Sequence, residues 1–102
     1  MTATLYLPHQ SPRAVSTEGL SLPDSATSFV EVPVNIAALL DCAPALVDVL
    51  ASGPGYVVYA IFDCTGEVNH AAMAVVAELS GVKFNESDED SILRGEVIVV
   101  TV

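Results

Sequence analysis

The 102 residues are 52% apolar with a mean hydropathy of +0.57, which excludes a disordered chain and gives one domain with a single core. Thirteen acidic residues face only Arg13, Lys83 and Arg94, a net charge of −10. So negative a surface argues against direct binding to nucleic acid or to anionic membranes, and favours basic protein surfaces.

No apolar run approaches the roughly 18 to 20 residues that cross a bilayer, and no basic segment followed by an apolar core opens the chain. A cytoplasmic protein is expected, in the host cytoplasm if the source is viral. Cys42 and Cys64 form no CxxC pair, and each follows an aspartate rather than a basic residue. A reducing compartment and small apolar roles fit both thiols.

In chain order, Thr2–Leu7 alternates loosely and predicts a short first strand. Residues 8–27 carry Pro8, Pro12 and Pro23 among Ser, Thr, Gln and Gly, and predict an irregular arm. Loops of that length usually have a function or order against a partner, and Val15, Leu20 and Leu22 supply apolar anchors. Ser28–Val34 reads as a strand, with Pro33 placing it at an edge or marking its end.

Asn35 is set to cap a helix over Ile36–Ser52, broken by Pro44. The expectation is a short helix to about Leu40, then a second starting at Pro44, with Asp41 as the cap near the junction. Leu46, Val49 and Leu50 would be its apolar face, and Gly53-Pro54-Gly55 its stop.

Tyr56–Phe62 is an unbroken run of strand formers, the pattern of a strand buried on both faces. Asp63-Cys64-Thr65-Gly66 breaks it, and Glu67–Ser80 then reads as a helix closed by Gly81 and capped by Asp63 or Thr65. Val68, Ala72, Val75, Val76 and Leu79 recur at helical spacing as its core stripe. Val82–Phe84 allows a short strand, and Asn85–Ser91 is an acidic loop. Glu96–Val102 is a second apolar strand, expected beside Tyr56–Phe62, and its removal is expected to unfold the chain.

The fold expected is α+β, or a small α/β, in a single domain spanning 1–102. Its sheet is mixed with four or five strands, Tyr56–Phe62 and Glu96–Val102 are central, and two helices cover mainly one face. If those central strands were parallel, their crossover would be right-handed.

Chemistry is sparse. Glu86, Asp88, Glu89 and Asp90 place four carboxylates in five residues, yet the sixth loop position, where a calcium loop of the EF-hand type needs glycine, is Asp90. Asp63, Cys64, Thr65 and Glu67 stand at a strand end, where open α/β sheets bind ligands. There Asp63 and Glu67 would raise the Cys64 thiol and repel an anion. His9 and His70 are far apart in sequence, and two histidines are too few for a zinc site. Tyr56 and Tyr59 fall on opposite strand faces, so they cannot share one patch with Tyr6. Gly53-Pro54-Gly55 is no phosphate loop, and neither GxGxxG nor GxxxxGK[ST] occurs.

In size and charge alone the chain resembles small acidic inhibitors of nucleic-acid-handling enzymes, such as phage anti-CRISPR proteins and nuclease immunity proteins. No motif is shared and no residue role is carried over.

The function expected is a non-enzymatic protein binding a basic surface, such as that of a nucleic-acid-binding protein, without cofactor or metal. Glu86, Asp88, Glu89 and Asp90 form the partner-binding set, extended by Asp63 and Glu67. One alternative is a structural subunit of an assembly such as a virion, joined to further copies through the N-terminal arm. A second is an enzyme with Cys64 as nucleophile and His70 as base.

Overall fold

The computed structural model describes residues 1–17, 35–53, 55–62, 66–81 and 92–102. The predicted strand Ser28–Val34, the strand Val82–Phe84 and the acidic loop Asn85–Ser91 lie outside the described residues, as do Asp63, Cys64 and Thr65.

Among the described residues five strands form one sheet: β1 (Thr2–Tyr6), β2 (Arg13–Val15), β3 (Val47–Gly53), β4 (Tyr56–Ile61) and β5 (Val97–Thr101). Their order is β2-β1-β5-β4-β3, with every neighbouring pair antiparallel. The two apolar runs are central, as their composition requires. Val57–Ala60 of β4 and Val97–Val100 of β5 are buried throughout, and Val58 stands opposite Val99. The mixed sheet is corrected to a fully antiparallel one, so the crossover rule for parallel strands does not apply.

Period-two alternation divides the core between the two faces of the sheet. Ala3, Leu5, Val57, Tyr59, Ile98 and Val100 point to one face, where α1 (Ile36–Leu40) inserts Ile36 and Leu40. Val58, Ala60, Val97 and Val99 point to the other, where α2 (His70–Ser80) lays down Ala72, Met73 and Val76. The helices therefore cover opposite faces, a correction to the single covered face. Both faces of β4 and β5 are apolar, and each needs its own cover.

The helix expected over Pro44–Ser52 is also corrected. α1 ends at Asp41, which adopts the left-handed conformation (φ 57°). There its N–H donates to the Ala38 carbonyl at 3.2 Å and that of Cys42 to Ala37 at 3.0 Å, a C-terminal cap rather than an N-terminal one. Asn35 precedes α1, and its carbonyl accepts the Leu39 N–H at 3.1 Å, but its side chain makes no capping bond. Pro44 does begin a helical turn, a 3-10 turn over Pro44–Leu46, and β3 follows at once.

Leu46, Val49 and Leu50 fit a helix by spacing, while Val47-Asp48-Val49 fits a strand by alternation. Pairing decides between them: β3 and β4 join in register from Val47↔Ile61 to Gly53↔Tyr56. Val47 and Val49 then face the core, whereas Leu46 and Leu50 are 41% and 36% exposed. A register shift between Val49 and Ala51 leaves Leu50 as the extra residue of a bulge.

The first half of the proline-bearing arm is likewise ordered on its own domain. Arg13–Val15 pairs with β1, from Ala3↔Val15 to Leu5↔Arg13. The rest of the arm, from Glu18 onward, lies outside the described residues. No helix among the described residues is long and apolar enough to cross a membrane.

Candidate functional site

α2 starts three residues later than its apolar spacing suggests, and this shift builds the site. Glu67–Asn69 are held extended against the chain entering β5. Val68 bridges Arg94, the Gly95 N–H donates to the Glu67 carbonyl at 2.9 Å, and the Asn69 N–H donates to Leu93 at 2.9 Å. Asn69, rather than Asp63 or Thr65, is the N-cap: its Oδ1 accepts the Ala72 N–H at 3.1 Å. At the other end Gly81 closes the helix as expected, with a φ of 75° and its N–H donating to Ala77.

Asn69 is fully buried, the one amide or charged side chain so enclosed among the described residues. Its Nδ2 donates to the Tyr6 carbonyl at 2.9 Å and to the Gly95 carbonyl at 2.8 Å. One side chain thus joins the end of β1, the approach to β5 and the first turn of α2, with the amide nitrogen and oxygen both engaged. Asn69 was passed over in favour of Asp63 or Thr65, although an asparagine just before the run His70-Ala-Ala-Met is a helix-start pattern. Its two distant carbonyl partners leave no such local pattern.

Beside this hub a groove of about 360 Å³ opens between the β1–β2 connection and the entry to α2. Leu7, His9, Gln10 and Ser11 line one wall, and Val68, Asn69, His70 and Ala71 the other. The two histidines, sixty-one positions apart (70 − 9), therefore share one groove. The β1–β2 hairpin brings them there, with His9 itself in the left-handed region at a φ of 59°. His9 Nε2 lies 2.9 Å from Glu67 Oε2, an ion pair when the imidazole is protonated. Both side chains are mostly in water, so the contact is worth at most about 1 kcal/mol. Imidazole, hydroxyl and amide groups over short apolar walls can hydrogen-bond a small polar ligand. The described residues contain no cluster of three or more histidine, cysteine or acidic side chains placed to hold a metal ion.

Of the predicted partner-binding set, Glu67 alone falls in the described residues; Asp63, Glu86, Asp88, Glu89 and Asp90 lie outside them, as does Cys64. His70 is the first residue of α2 and exposed. Cys42 is half-buried against the α1 side of the core. Tyr56 and Tyr59 do face opposite sides of the sheet. Burial holds the Tyr59 phenol, and that of Tyr6, above the ordinary value of 10.0. Tyr59 is a core residue. Comparison with family models, with curated proteins and with solved structures finds no match.

Proposed function

We propose that the chain is a small acidic binding protein that engages a basic protein surface, such as the nucleic-acid-binding face of another protein. The observation that supports it is the charge imbalance: three basic residues cannot neutralise thirteen acidic ones. The described carboxylates, Asp41, Asp48, Glu67, Glu78 and Glu96, are all exposed or half-buried, so their field reaches solvent. Arg94, one of the three cations, directs Nη1 to the Gly66 carbonyl at 3.2 Å. Exposed charge of one sign mainly accelerates encounter with the opposite sign, and salt weakens that gain. Affinity capture from the native host at low and at high salt tests the reading. A basic protein retained at low salt and released at high salt is the expected result. Recovery of no basic protein at low salt would refute it.

A further inference from the structure

The two margins of the sheet differ. β2 spans only Arg13–Val15, follows Pro12 and carries a cation, which are devices that discourage strand addition. β3 is seven residues long, and among the described residues no strand lies on its outer side. The bulge at Leu50 divides that margin, leaving Val47–Val49 as a regular stretch. At its start the Phe62 N–H donates to the Leu46 carbonyl at 2.7 Å, which sets two apolar residues side by side, 63% and 41% exposed respectively. Among the described residues, Phe62 is the most exposed of the large apolar side chains apart from Val102.

Charge says what fits there. Residues 35–62, which supply α1, the 3-10 turn, β3 and β4, contain Asp41 and Asp48 and no other charged side chain. We propose that the Val47–Val49 edge, with Leu46 and Phe62 as apolar anchors, receives an extended basic segment of a partner protein as an added strand. Backbone hydrogen bonds to the outer edge of β3 give affinity, the anchors take apolar side chains, and alternating lysine or arginine side chains meet Asp48 and the overall negative field. A second copy of this chain is the wrong occupant, because two bodies of charge −10 repel. The proposal rests on the acidic-binder reading and adds the surface and the backbone conformation of the partner.

The test is an NMR titration of the isotope-labelled chain at low salt with a short synthetic peptide of alternating lysine and valine. Its companions are the same peptide N-methylated at alternate amides and a glutamate–valine peptide. The lysine–valine peptide is expected to bind, with amide shifts concentrated at Leu46–Val49 and Phe62. N-methylation, which keeps charge but removes backbone donors, should weaken binding about tenfold or more, as should Phe62→Lys in the protein. Phe62 is at the surface, and circular dichroism checks that the variant is folded. Equal binding of both lysine peptides, with shifts spread elsewhere, would overturn the edge proposal and leave the acidic-binder reading standing. No binding of either lysine peptide would count against both. Equal binding of the glutamate–valine peptide would overturn the choice of a basic occupant. Self-association lost in Phe62→Lys, seen by sedimentation equilibrium, would instead assign the edge to a second copy.

Discussion

Replacing Asn69 tests whether one buried amide holds α2 to the sheet. In Asn69→Ala the Ala72 N–H loses its cap, and the Tyr6 and Gly95 carbonyls lose their donor. A lost cap costs about 0.5–2 kcal/mol, and each buried group left unpaired about 1–3 kcal/mol. Because the losses share one site and water can partly fill it, the expected total is about 3–4 kcal/mol rather than their sum. With a urea m-value of about 1–3 kcal/mol/M, the unfolding midpoint followed by circular dichroism should fall by about 1–4 M.

Asn69→Asp sharpens the test, since it preserves shape and the capping oxygen but sets a carboxylate against two carbonyls. It should destabilise at neutral pH about as much as the alanine variant, despite the better helix cap. The introduced carboxyl is buried and unpaired, so its folded pKa is raised above the unfolded value of about 3.9. Its deficit should therefore be smallest below the unfolded value, and should grow as pH rises through the folded one. If Asn69→Asp matches the wild type at pH 7, the two donor bonds are not what holds the junction, and the reasoning fails.

Other perturbations separate strong contacts from weak ones. His9→Ala removes an exposed pair and should shift stability by less than about 1 kcal/mol in the same urea assay; a larger loss would mean the groove wall is structural. Gly81→Ala should cost about 1 kcal/mol from its positive φ alone, because nothing lies within 4 Å of an added Cβ. Gly55→Ala should cost more, since its added Cβ would also stand 2.8 Å from Val102 Cγ2; equal losses would contradict the stated contact. Tyr6 and Tyr59 have folded values raised above 10.0, so their contribution to stability is intact below that pH and is lost as pH rises through the folded values. Phenolate absorbance should show them titrating later in the native chain than in the urea-unfolded chain, and superimposable curves would contradict the burial.

What the sequence revealed follows the physics of each element. Tyr56–Ile61 and Val97–Thr101 were legible because a strand buried on both faces leaves a continuous apolar run. β3 was misread because Leu46, Val49 and Leu50 satisfy helical spacing over so short a stretch. Only the pairing with β4, a contact beyond the local window, selects the strand. β2 was missed because Arg13-Ala14-Val15 is too short to display any period. The groove went unseen for the same reason: the hairpin that carries His9 to Glu67 and His70 depends on that short strand. Helix closure at Gly81 is a local backbone property and was read correctly, whereas the start of α2 depends on the bridge between Val68 and Arg94.

The groove and the β3 edge are both positioned by one arrangement: β5 at the sheet centre, antiparallel to both β1 and β4. Cross-strand nuclear Overhauser effects in the isotope-labelled protein test it most directly. Val99 should show contacts to Thr4 on one side and to Val58 on the other, and Val97 to Tyr6 and Ala60, the order reversing along each neighbour. Contacts running in the same direction along β4 and β5, or none between β5 and β1, would contradict the fold and, with it, the placement of the groove and of the β3 edge.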